Sequence, residues 1–422
     1  MVEWRGASLA VVLTGIAACA QAQSLSELLE RTVSTHPSVQ GQRSQRAVAA
    51  AEMDYARQQF YPTPSVSIEQ VSAGQRDPSY LQNATVKVFR LQQPLWTNGR
   101  LTAGVAKAQA SAEMAEQSYD DVRQQLALRV LQAWADGYGA ELKQRALQIS
   151  LVTHERLQAQ VSRRVADGAS AQTERVLTDG RLAQTRAQLQ AVVVQAQTAR
   201  MRLEQLSGAP VGAALVPAPE PELQVSDAAQ ALELAQKRSP AVRRLAAVVR
   251  MQEADVAERK GDLLPEVYAR AEYQIGSASI AGAPDAQRIF VGLQSKLGAG
   301  LSSLAGIEAS QNKVAVATAD VENAQRGLAE QVLSDWNQLS TLKARQAALE
   351  ASLEASRATS QAWDRQFLAG RKTWVEVMNS ARELAQAETE LADVLAARVL
   401  LAWRVALYTQ GLDSLLTGKT NP

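Results

Sequence analysis

The chain has 422 residues, 44 basic and 43 acidic side chains, one Cys and two His. That near-zero net charge carries no polyanion signature and excludes nucleic acid as an expected partner. A single Cys excludes an internal disulfide, and neither His36 nor His154 falls in a catalytic or metal-binding motif. No catalytic, cofactor or metal site is therefore expected, and the chain does not read as an enzyme.

In chain order, Ala7–Ile16 is an apolar run too short to span a bilayer, preceded by Arg5. Ala20-Gln21-Ala22 has the small-x-small form of a signal-peptidase site, which predicts a signal peptide over 1–22 and a mature chain from Gln23. Ile16-Ala17-Ala18-Cys19 also reads as a lipobox, which would leave Cys19 acylated; both readings stand. Helical patterns follow over about 24–60, with His36-Pro37 dividing a short segment from the main helix. Strands are expected near 64–73 and 82–93, joined by the polar loop AGQRDPSY at 73–80.

No Pro occurs between Pro94 and Pro210, or between Pro284 and Pro422. Proline breaks helix interiors, so two such tracts permit very long helices. The turns Asp167-Gly168 and Ala369-Gly370 divide them into arms at about 99–166, 171–207, 303–367 and 373–409. At 1.5 Å per residue the longer arms reach about 100 Å. Leu182, Leu189, Ala196 and Leu203 recur every seven residues, and Leu384, Leu391 and Val405 recur similarly, which is the spacing of helix-packing seams. Pro-rich PVGAALVPAPEPELQ, 210–224, reads as a linker, and a second pair of short helices is expected at 226–262, divided at Ser239-Pro240.

Strands then return at 265–275 and 288–297. Val267, Ala269, Ala271, Tyr273 and Ile275 fall on one face of the first and Glu266, Tyr268, Arg270, Glu272 and Gln274 on the other. Ile289, Val291, Leu293 and Leu297 share a face of the second. Apolar–polar alternation over about ten residues is the pattern of transmembrane barrel strands. After residue 22 no apolar stretch is long enough for a membrane helix, so a membrane crossing would have to use strands.

The chain is internally duplicated. Pro37 and Pro62 meet Pro240 and Pro265 at a shift of 203; Trp134, Gly168, Glu174 and Leu189 meet Trp336, Gly370, Glu376 and Leu391 at a shift of 202. The expected organisation is a first repeat at 23–209, a linker at 210–225 and a second repeat at 226–422. One repeat pair supplies four strands, too few to close a barrel, and symmetry resolves that shortage: three chains give twelve strands.

At this point the sequence resembles the TolC-like outer-membrane factors over nearly its whole length. The segment QQPLWTNGRLTAGVAKA, 92–108, is similar to the family's passage from second strand to long helix, and FLAGRKTWVEVMNSARELAQAE, 367–388, to its Gly turn and following helix. The second copy departs from the family pattern at KLGAGLSSLAG, 296–306. The resemblance implies a mainly helical fold: a homotrimer with a coiled-coil α-barrel in the periplasm and a 12-stranded β-barrel in the outer-membrane lipid of a Gram-negative cell. It implies the exit duct of a tripartite machine with a periplasmic adaptor and an inner-membrane ABC transporter or proton-driven pump. The segment GRKTWVEVMNSARE looks closer to type I protein-secretion members; small-molecule efflux is the alternative cargo. A non-channel periplasmic coiled-coil structural protein is the competing class. By the same resemblance Gly168 and Gly370 mark adaptor-docking tips. Glu376 matches an acidic position lining the periplasmic entrance. Thr173 and Glu174 match a pair that helps hold it closed, and Lys372 matches the basic partner that binds that pair from a neighbouring helix.

Overall fold

A computed structural model describes residues 24–72, 81, 83–212, 214–215, 217–295 and 302–417. Cys19, the expected signal peptide, the loop at 73–80, and Lys296 and Leu297 at the end of the last expected strand lie outside the described residues. The departure at 296–306 is described only from Ser302, where the helix has already begun.

Element order follows the duplication. The first copy runs α1 (Leu25–Thr35), α2 (Pro37–Gln58), β1 (Thr63–Ser72), β2 (Asn83–Trp96), α3 (Arg100–Ala166) and α4 (Gln172–Ser207). The second runs α5 (Ala228–Arg238), α6 (Pro240–Leu263), β3 (Glu266–Ile275), β4 (Ala286–Gln294), α7 (Ser302–Leu368) and α8 (Trp374–Gln410), followed by the short α9 (Leu412–Thr417). The helices α3 and α7 have 67 residues each.

The breaks fall where the prolines dictate. His36 caps α2, its Nδ1 accepting from the Ser38 amide at 3.2 Å, and Ser239 caps α6, its hydroxyl accepting from Val242 at 3.4 Å. Each is followed by proline at the first helical position, where a missing N–H costs nothing.

The chain divides into two compact units. One comprises residues 30–131, 220–347 and 398–422 and holds all four strands. They form one antiparallel sheet in the order β1-β2-β3-β4. Register places Val267 opposite Leu293, Ala269 opposite Val291 and Ala271 opposite Ile289, so the two predicted apolar faces coincide. Val66 opposite Phe89, and Phe89 opposite Tyr273, extend that face across the sheet. It is exposed: Ile289 is 84% accessible, Val291 74% and Ile68 66%. The opposite face is mixed: buried Val86 and Val88 share it with Phe290, and Glu272 on the same face pairs with Arg90 at 2.9 Å and Arg270 at 3.0 Å. Both outer strands, β1 and β4, have one strand neighbour only among the described residues. The passage PLWTNGR turns on Asn98 and Gly99, at φ 50° and 81°, and Arg100 then ties the start of α3 to Glu266 at 2.9 Å.

Helix packing in this unit centres on Val332, Leu339, Leu401, Val405 and Tyr408, with Ala231 and Ala235 of α5 against them. Asp255 of α6 joins three helices: Lys107 of α3 at 2.5 Å, Arg259 of its own helix at 2.8 Å and Ser310 of α7 at 2.8 Å. Burial pushes this carboxyl up, but those three hydrogen bonds outweigh it and hold the group well below the usual carboxylate range.

Among the described residues the other unit comprises 24–29, 132–219 and 348–397, and its core is helical. Of the seams read from heptad spacing, Leu182 and Leu203 of α4 are buried, and Leu189, Ala196, Leu384 and Leu391 are half-buried. No helix is long and apolar enough to cross a membrane among the described residues.

Candidate functional site

The helix reversals α3–α4 and α7–α8 both belong to this helical unit. Each is built the same way. Gly168 and Gly370 sit at φ 73° and 72°, in the left-handed region where any other L-residue is strained. The Ala169 amide donates to the Arg164 carbonyl at 2.8 Å and Gly168 to Val165 at 3.1 Å. At the equivalent points Arg371 donates to Gln366 at 2.8 Å and Gly370 to Phe367 at 3.0 Å. These paired bonds satisfy the last orphan carbonyls of α3 and α7.

Beyond the glycines the two copies diverge. At the start of α8, Thr373 and Glu376 form a reciprocal cap. The carboxylate of Glu376 accepts from the Thr373 amide and hydroxyl at 2.9 Å each, and the Glu376 amide reaches the threonine hydroxyl at 3.4 Å. Lys372 donates to the other Glu376 oxygen at 2.7 Å and lies 4.5 Å from the centre of the Trp363 ring. The lysine bond and then the two threonine donors hold the Glu376 carboxyl down to about 2. Beneath this turn Trp374, Phe367, Val377, Met378, Leu157 and Val161 form a buried cluster. Each such side chain contributes roughly 1.5–3 kcal/mol on burial.

Leu157 and Val161 of that cluster come from α3, but at the start of α4 the first copy has no counterpart of the cap, the lysine bond or the tryptophan among the described residues. Ala171 stands where Thr373 stands and caps α4 with no side-chain bond. Exposed Gln172 replaces buried Trp374, and Ser170 replaces Lys372. Glu174 sits in the first turn of α4, and among the described residues its carboxylate has no ionic partner. Thr173 is exposed. Within one chain the expected clamp from Lys372 to Thr173 and Glu174 is therefore not formed, because Glu376 of its own helix holds the lysine.

The six positions read from sequence fall in one unit, and neither the cap nor the tryptophan cluster was read with them. Thr373-Trp374-Val375-Glu376 carries the Thr-x-x-Glu spacing of a capping box, which was the available signal.

The outer membrane efflux protein family model matches residues 28–209 and 231–408, most of both copies. The fold is similar to that of the outer-membrane channel OprN, 20% identical, covering 92% of this chain and 89% of that one with a TM-score of 0.79. It is likewise similar to the outer membrane protein VceC of Vibrio cholerae, 15% identical over 92% of this chain and 96% of that one, TM-score 0.79. The outer membrane channel CmeC of Campylobacter jejuni is 12% identical over 92% and 85%, again at 0.79. No curated protein matches the chain in sequence. A family match in two successive blocks, one per copy, on a fold of paired long helices and a four-stranded sheet, decides the classification: this chain belongs to the outer membrane efflux protein family, the TolC-like outer-membrane channels.

Proposed function

We propose that three copies of this chain form the exit duct of a tripartite export machine. The observation that carries this reading is the four-stranded sheet with an exposed apolar face and two unpaired edges. An open edge in lipid leaves backbone groups unsatisfied, at several kcal/mol each. Joining β4 of one copy to β1 of the next closes twelve strands, with Val66, Ile289 and Val291 toward lipid and the Arg90–Glu272–Arg270 group toward water. On this reading residues 1–22 are removed, and the repeats 23–209 and 226–422 joined by 210–225 alternate around a common axis. The turns at Gly168 and Gly370 then meet a periplasmic adaptor, and an inner-membrane ABC transporter or proton-driven pump supplies the energy. The duct itself is passive.

Protein cargo, by type I secretion, is supported by the likeness of GRKTWVEVMNSARE to secretion members. Small-molecule efflux is the second reading, favoured by the description of the matching family.

Cysteines placed on the outer edges of β1 and β4 test assembly: oxidation in membranes is expected to give a ladder ending at trimer. A folded, monodisperse monomer in mild detergent would overturn the proposal. Deleting the gene separates the cargoes: loss of a secreted protein at unchanged drug susceptibility supports secretion, and the reverse supports efflux.

A further inference from the structure

A cavity of about 450 Å³ lies between α3, α4 and α8, wholly within the helical unit. Its volume falls in the usual range for small-ligand sites, about 300–1,000 Å³. The floor is apolar and buried: Leu147 from α3, Val192 from α4 and Met378 from α8. Arg181 of α4 and Arg382 of α8 also line it, and among the described residues no Asp or Glu does. Arg181 donates to Gln184 at 3.2 Å, while Arg382 has no ionic partner among the described residues.

The third feature is His154, only 4% exposed and part of the same wall. Its Nδ1 meets the Ser150 carbonyl at 2.8 Å, which fixes the proton on Nδ1 and leaves Nε2 as an acceptor. Among the described residues Nε2 has no partner. That acceptor is not a buried orphan and is open to the solvent of the cavity, so a guest that brings a donor can take the place of water there.

We propose that this cavity binds a small hydroxylated organic anion: a carboxylate or sulfonate taken by Arg181 and Arg382, an apolar body on the floor, and a hydroxyl donating to His154 Nε2. Charge-assisted guanidinium bonds are the strong ones, and two guanidiniums with no competing carboxylate select negative charge. Such a guest touches both copies at once, because α4 belongs to the first and α8 to the second.

The probe is 4-hydroxybenzenesulfonate, titrated by calorimetry and equilibrium dialysis into the full-length channel held in amphipol. Saturable binding of one probe per chain is expected. The neutral 4-hydroxyphenyl methyl sulfone should bind at least about tenfold more weakly, as loss of a charge-assisted pair requires. Arg181→Gln and Arg382→Gln should each weaken the sulfonate about fivefold or more. Plain benzenesulfonate should also bind more weakly than its hydroxylated form, and His154→Phe should erase that difference. Ala191→Trp, on the exposed rim, should block the cavity without touching either cation. Absence of saturable binding overturns the proposal, as does sulfonate affinity unchanged in the double arginine variant or equal affinity for the neutral sulfone.

Discussion

Replacing Gly370 with valine perturbs one dihedral and almost nothing else. A Cβ built at this position meets no atom within 4 Å, so the cost is that of the backbone alone. At φ 72° an L-residue loses about 1–2 kcal/mol, and a β-branched side chain lies at or above the top of that range. Asparagine tolerates the left-handed region and should cost a fraction of this. The valine turn can keep its two amide–carbonyl bonds under strain, or give them up at about 1 kcal/mol each. Either way the α7–α8 reversal should open about 5–30 times more often. Hydrogen exchange of the amides at 370–376 in the assembled channel reads this directly. Gly168→Val is the internal control: its φ is 73° and its Cβ is equally unobstructed, so the penalty should match. Exchange unchanged in Gly370→Val, or Gly370→Asn as damaging as Gly370→Val, would refute the assignment of these glycines to backbone need. If the turns dock an adaptor, export should fall in the valine variant while the strands stay in the membrane.

Thr373→Ala should remove the cap of α8 at a local cost of about 1 kcal/mol and let the Glu376 carboxyl rise from about 2 toward its ordinary 4.5, read by NMR titration. Because the folded value is the lower one, this contribution is complete above pH 4.5 and is lost as pH falls toward 2. Exchange protection of the wild-type turn should decline through that window, and the Thr373→Ala profile should be flatter. Asp335 is 2% exposed and pairs with Arg404 at 3.0 Å, with burial pushing its carboxyl up against the arginine. Arg404→Leu should therefore cost about 3–5 kcal/mol, and the double variant Asp335→Ala/Arg404→Leu should recover much of it in denaturant melts. In planar bilayers Glu174→Gln should lower cation selectivity more than Glu376→Gln, because Lys372 already compensates Glu376. Lys372→Glu should raise conductance, and equal effects of the two glutamine variants would reject this ranking.

The long helices were legible because proline is the one residue a helix interior cannot absorb, and the two proline-free tracts reverse at Asp167-Gly168 and Ala369-Gly370, equivalent points of the two copies. The expected arms 99–166 and 171–207 stand against α3 at Arg100–Ala166 and α4 at Gln172–Ser207. Strand faces were legible because the side-chain period is two, so Val267, Ala269 and Ala271 had to share a side. Strand ends were less so. β2 was read to 93 but runs to Trp96, since pairing resumes after an irregularity between Pro94 and Trp96 that no local pattern announces. Asp335 illustrates a harder limit. In a heptad tract an acid reads as a solvated flank, and it is the tertiary position of Arg404, added to a local bond from Gln331 at 2.9 Å, that makes burial tolerable. The cavity at His154 was equally hidden, because α8 of the second copy completes walls that α3 and α4 of the first copy begin.

Comparison of the two copies separates what the backbone demands from what each location adds. Gly168 and Gly370 are both glycine because the reversal uses the same positive φ twice. The residues around them obey no such constraint and have diverged: Ala171 against Thr373, Gln172 against Trp374, Ser170 against Lys372, and, further along, Ala133 against Asp335. Every one of these differences puts the added fastening in the second copy. Local opening is cheapest where buried apolar contacts and side-chain bonds are fewest, so the α3–α4 turn is the less restrained of the two. In the proposed trimer six geometrically similar turns would then fall into two sets of three. The assembly would be sixfold in backbone and threefold in stiffness, and a partner pressing on all six turns would displace those at Gly168 first.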